Sequence, residues 1–84
     1  MSVRLLYTSI QTGSHVAEAA VRSAIGERDG DWCLSLISPP RQDLWVVVID
    51  GPHRFNRTWV FDQDEQEFST VRNTIEGALL NHRL

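Results

Sequence analysis

The sequence predicts a small α+β domain: a three- or four-stranded antiparallel meander with two helices on one face, in the order (β)-α-β-β-β-α. Two observations carry that class. Three strand-forming runs follow one another between residues 31 and 61, separated only by the turn clusters SPPRQD and DGPH. Consecutive strands joined by short turns pair antiparallel. A segment with helically spaced apolar residues stands on each side of the three runs. The length of 84 residues admits one domain, residues 1–84, with one thin core and on the order of 3–5 kcal/mol of net stability.

Residues 3–10, VRLLYTSI, fit two patterns. Val3, Leu5 and Tyr7 alternate as in a strand, whereas Val3, Leu6, Tyr7 and Ile10 have helical spacing. The β-branched and aromatic content favours a strand. Gly13 then marks a turn, and Ser14 is the expected N-cap of a helix running to about Ile25, with Gly26 as its stop. Its apolar stripe, Ala17, Val21, Ala24 and Ile25, is rich in alanine and suits close packing on a sheet.

The run 31–38, DWCLSLIS, places Trp32, Leu34 and Leu36 on one face and Cys33, Ser35 and Ile37 on the other. Two adjacent prolines end it. The run 44–49, LWVVVI, is apolar on both faces, as a central strand covered on both sides would be. After the Gly51-Pro52 turn, 56–61, NRTWVF, is the next strand. The last segment begins with Asp62, Asp64, Glu65 and Glu67, continues with Phe68, Val71, Ile75, Ala78 and Leu79 at helical spacing, and ends with His82 and Arg83. Acids first and bases last complement a helix dipole. Gly77 within it is expected to mark a close packing contact.

One consequence follows for the central strand. Two helices on one face cannot cover both Leu44, Val46 and Val48 and Trp45, Val47 and Ile49, so one set looks outward. The tryptophans fall one per strand, at Trp32, Trp45 and Trp59. Trp45, Val47 and Ile49, with Trp59 beside them, are the expected contact residues, because tryptophan is enriched as an interface anchor.

Composition excludes several classes. Hydrophobic residues are 42% and charged residues 23%, a globular balance. There is no apolar run of about 18 residues to span a membrane. The first ten residues lack the apolar core of a secretory signal, and Cys33 is the only cysteine. Both point to the cytoplasm. The net charge is −3, and all eight basic residues are arginines, so the usual nucleic-acid footprint is missing.

The stretch 49–61, IDGPHRFNRTWVF, offers the one alternative surface. His53, Arg54 and Arg57 would hold phosphate while Phe55 stacks on a base. The plainer account is a hairpin turn with Phe55 or Trp59 packed inward. The α-β-β-β-α order with Gly51-Pro52-His53 resembles the double-stranded-RNA-binding domain. That resemblance implies a lysine cluster at the start of the last helix, where this chain has Asp62, Asp64, Glu65 and Glu67; no RNA-binding role is carried over. Residues 43–50 and 57–67 faintly resemble the sheet and helix of plant AP2-type DNA readers, but Val46, Val47 and Val48 are apolar where such a sheet reads DNA.

Catalysis is not expected. The five glycines are isolated, no serine sits in a nucleophile elbow, and Cys33 alternates with apolar strand positions as a small buried hydrophobe would. An EF-hand read from Asp62 fails at Glu67 and Asn73. His15, His53 and His82 are scattered, so neither metal nor cofactor is expected. The expected role is a non-enzymatic protein-interaction or regulatory domain that self-associates through an apolar sheet face, as a homodimer or with another protein partner. A nucleic-acid module using His53, Arg54, Phe55 and Arg57, or a binder of a small apolar ligand between sheet and helices, are the alternatives.

Overall fold

The computed structural model describes residues 2–81. The elements are β1 (Ser2–Thr8), α1 (Ser14–Ile25), β2 (Asp31–Ile37), β3 (Trp45–Asp50), β4 (Asn56–Phe61), a 3-10 turn (Gln63–Glu65) and α2 (Phe68–Asn81). They build one four-stranded sheet in the order β1-β2-β3-β4, with both helices packed against one face. The α+β class and the element order are as expected. The sheet is not wholly antiparallel: β1 runs parallel to β2, while β2, β3 and β4 form the meander. The reason is the connection. Helix α1 carries the chain back along the sheet, so β2 starts at the end where β1 started.

The ambiguous run near the N-terminus is a strand, paired on one side only. Val3 and Leu5 pack on the core, and a bulge follows between Leu5 and Tyr7. Leu6 and Tyr7 are exposed, so the helical spacing of the run has no buried stripe to serve.

A single core fills the space between sheet and helices. Helix α1 contributes Ala17, Ala20, Val21, Ala24 and Ile25, and α2 contributes Val71, Ile75 and Leu79. From the sheet come Trp32, Leu34 and Leu36 on β2, Trp45, Val47 and Ile49 on β3, and Phe61 on β4. The core of described residues contains no buried polar or charged residue. Three alanines on α1 are fully buried, which lets the two helices lie close together.

The helix ends differ from expectation in detail. Gly13 is the N-cap of α1, in the left-handed conformation, and Ser14 is its first helical residue with no side-chain cap. A β-carbon at Gly13 would lie 2.8 Å from Cζ2 of Trp45, so the indole ring itself selects glycine there. The acids at 62–67 precede α2. Asp62 accepts a hydrogen bond from the Asp64 N–H at 3.0 Å, and Glu65 accepts one from the Asp62 N–H at 3.2 Å. His82 and Arg83, expected to complement the end of α2, lie outside the described residues.

Gly77 is not a packing contact: a β-carbon there meets nothing within 4 Å. Glycine in a helix interior costs about 0.5–1 kcal/mol relative to alanine. Gly77→Ala therefore raises stability by about that amount, measurable as a higher urea midpoint at constant slope. Gly51 behaves in the opposite way. A β-carbon there collides with the ring of Trp32, a buried side chain that also meets the Phe55 ring edge-on at 5.5 Å. Gly51→Ala must push that ring aside and lowers stability by about 1–3 kcal/mol in the same urea titration.

Candidate functional site

The face of the sheet away from the helices is covered by no element among the described residues. Strand register lays its residues out in rows. One row is Ile37, Val46 and Val60, and the next is Tyr7, Ser35, Val48 and Thr58. A third row is Arg4, Cys33, Asp50 and Asn56, with Asp31 beyond it. The face is thus aliphatic at one end and polar at the other. Val60 and Tyr7 are each 56% exposed and the neighbouring Leu6 is 57% exposed, while Val46 and Val48 are half-buried between their strand neighbours. At the polar end Asn56 Nδ2 donates to Asp50 Oδ1 across the strands.

This corrects the expected contact residues. Trp45, Val47 and Ile49 point into the core, at 6%, 0% and 0% exposure. They are on the helix side because β2 places Trp32, Leu34 and Leu36 there and the register carries that face across to β3. Trp59 opposes Val47, so it also belongs to the helix side, half-buried, with the Arg57 guanidinium carbon 5.9 Å from its ring centre. The outward set is Val46 and Val48, joined by Ile37, Val60 and Tyr7. The alternation that could have found them was legible in β2 and β3. What was missing was which phase meets the helices. Cys33 is half-exposed on this same face and is not a buried core residue.

The hairpin from Gly51 onward takes the plainer form. The Phe55 N–H donates to the Pro52 carbonyl at 3.2 Å, and the Gly51 N–H donates to the Phe55 carbonyl at 2.9 Å. His53 and Arg54 stand at the tip with φ of 59° and 63°. Consecutive positive φ values are those of the tight turns that join twisted strands. Phe55 is 3% exposed against Trp32 and Trp59. A ring so buried offers no face to a base, so the four residues of the expected nucleic-acid grip are not brought together as one surface.

A second feature lies at the end of the sheet where β1, β2 and β4 finish and both helices begin. An open cleft of about 860 Å³ is lined there by Ser9, Arg41, Asp43, Trp45, Gln63 and Gln66 among others. Much of its polar lining ties the loops together. Ser9 Oγ accepts from the Ser38 N–H at 2.9 Å, and Gln66 Nε2 donates to the Asp43 carbonyl at 3.2 Å. The cleft is not the apolar space between sheet and helices that a small apolar ligand was expected to use; that space is filled by the core.

Among the described residues no three His, Cys, Asp or Glu side chains come together to hold a metal, and no helix is long and apolar enough to cross a membrane. The fold and its surface define a small α+β domain with one sheet face uncovered. No protein family, curated protein or solved structure matches the chain.

Proposed function

We propose that this is a non-enzymatic interaction domain that self-associates through the uncovered face of its sheet. The observation that carries this is the aliphatic row Ile37–Val46–Val60, with Val48 and Tyr7 beside it, on a face that no described element covers. Single exposed apolar residues need no explanation, but a contiguous row does. Four strands about 4.8 Å apart and about 20 Å long make a plane of roughly 400 Å². Its corrugated accessible surface is larger. Two such faces together approach the ~1,000 Å² at which specific interfaces begin.

A second copy is the occupant the surface favours. Two sheets stack face to face about 10 Å apart, and an aliphatic row against its own symmetry mate leaves no polar group unpaired. The polar end of the face, with Arg4, Asp31 and Asp50, then stays at the wet margin. A protein of the cytoplasm, with one thiol and no disulfide, fits this reading.

Sedimentation velocity across a hundredfold range of concentration tests it. The expected result is a mass that falls as the protein is diluted, and that falls at every concentration when a carboxylate is placed on the aliphatic row. A chain that sediments as one copy throughout overturns the proposal.

A further inference from the structure

We infer that the outer edge of β4 pairs antiparallel with β4 of a second copy, extending the sheet across a two-fold axis at Thr58. This surface is distinct from the uncovered face and does not depend on it.

The two edges of the sheet are treated differently. On β1, the Ser2 N–H donates to the Gly30 carbonyl at 3.0 Å, so the alternate residue Val3 directs its polar groups outward. Arg22 Nη1 of α1 donates to that outward Val3 carbonyl at 3.0 Å. The bulge between Leu5 and Tyr7 then breaks the remaining outward row. A capped carbonyl and a bulge are two devices by which proteins block an edge against further strands.

The β4 edge has neither device. The Gly51–Phe55 hydrogen bond sets the alternation of the β3–β4 ladder, so Arg57, Trp59 and Phe61 bond to β3. Asn56, Thr58 and Val60 therefore direct their backbone N–H and C=O groups outward. Among the described residues no side chain donates to those carbonyls. The ladder register of β4 shows no shift along its whole length.

Charge identifies the occupant as a second copy in antiparallel register. Before the strand stand the exposed His53 and Arg54; after it stand the exposed Asp62, Asp64 and Glu65. Arg54 has no ion pair among the described residues. A two-fold axis at Thr58 sets Arg57 opposite Trp59 and Asn56 opposite Val60, and brings the turn that carries Arg54 beside the end of the second copy's strand, where Asp62 follows. Each end of the paired strands then joins a basic turn to an acidic one, and symmetry repeats the match at the other end. A parallel pairing would set like charges together.

The test uses a cross-link at the axis. In a Cys33→Ser background, Thr58→Cys places two thiols on opposed residues, whose Cα separation of about 5.5 Å lies within disulfide range. Thr58 is exposed, so the substitution leaves the fold intact. Mild oxidation is expected to give a covalent dimer for Thr58→Cys and none for Arg4→Cys on the blocked β1 edge. Adding Arg54→Glu is expected to slow cross-linking about tenfold, and Arg54→Glu with Asp62→Arg to restore it. Equal cross-linking at both edges, or no response to the charge reversal, overturns the inference. Repeating the cross-link in a Val46→Asp chain separates the two surfaces. If it persists while the mass falls, both contacts stand; a mass unmoved by Val46→Asp removes the face contact alone.

Discussion

Val47→Asp is expected to abolish folding. Val47 is fully buried in the middle of β3, paired with Leu36 on one side and Trp59 on the other, beneath the helices. The described core offers no polar group to receive a carboxylate. Loss of the valine packing costs about 1.5–3 kcal/mol. Burying an unpaired carboxyl adds several more, whether it stays charged or takes up a proton to avoid it. The sum exceeds the ~3–5 kcal/mol that one small core supplies. Far-ultraviolet circular dichroism at 25 °C should therefore show a chain without a cooperative melt. A melt at the wild-type midpoint would mean that Val47 does not face the core.

Val46→Asp, one residue earlier, is expected to leave the domain folded and halve its mass in solution. Val46 points to the uncovered face, half-buried between Ile37 and Val60. The cost to a single copy is the ~1 kcal/mol of a poorer strand residue. If the faces pair as proposed, the cost to the pair is larger, because each copy brings a carboxylate into an apolar contact. Association weakens about 100-fold, or about 2.8 kcal/mol. Val60→Asp removes less packing, since Val60 is 56% exposed, and should give the same change in mass. Sedimentation and circular dichroism on the same samples decide the matter. A folded chain of unchanged mass in both variants would show that the face is not a contact.

The contrast between these neighbours marks where sequence reading stopped. The alternation in DWCLSLI and WVVVI was plain, and it divided the residues correctly into two faces. It did not say which face the helices cover. From sequence alone Trp45 reads as an interface anchor, yet its ring lies against Gly13 at the start of α1 and takes part in closing the core. An aromatic side chain suits a core and an interface for the same reason, its large apolar area, so residue type alone does not distinguish the two. Gly77 and Gly51 make the same point from the other side. Both were legible as glycines in structured contexts, but only the packing reveals open space beside one and an indole ring against the other. The cleft at the strand ends is likewise not legible in the sequence, because it is assembled from segments 9–12, 38–43 and 63–66, far apart in the chain.

The amino-acid sequence alone determined the α-β-β-β-α order from Ser14 onward and the class of fold, and it left residues 3–10 between strand and helix. Periodicity, turn residues and strand-forming content are local properties, and each was set within a few residues of itself. Tertiary structure alone decided the parallel pairing of β1, the blocked and open edges, and the choice of Val46 over Val47 as the outward residue. These depend on which distant segments meet. A strand has two equivalent faces and two equivalent edges until helices pack on one face and neighbouring strands take up an edge, and no short window of sequence contains that choice.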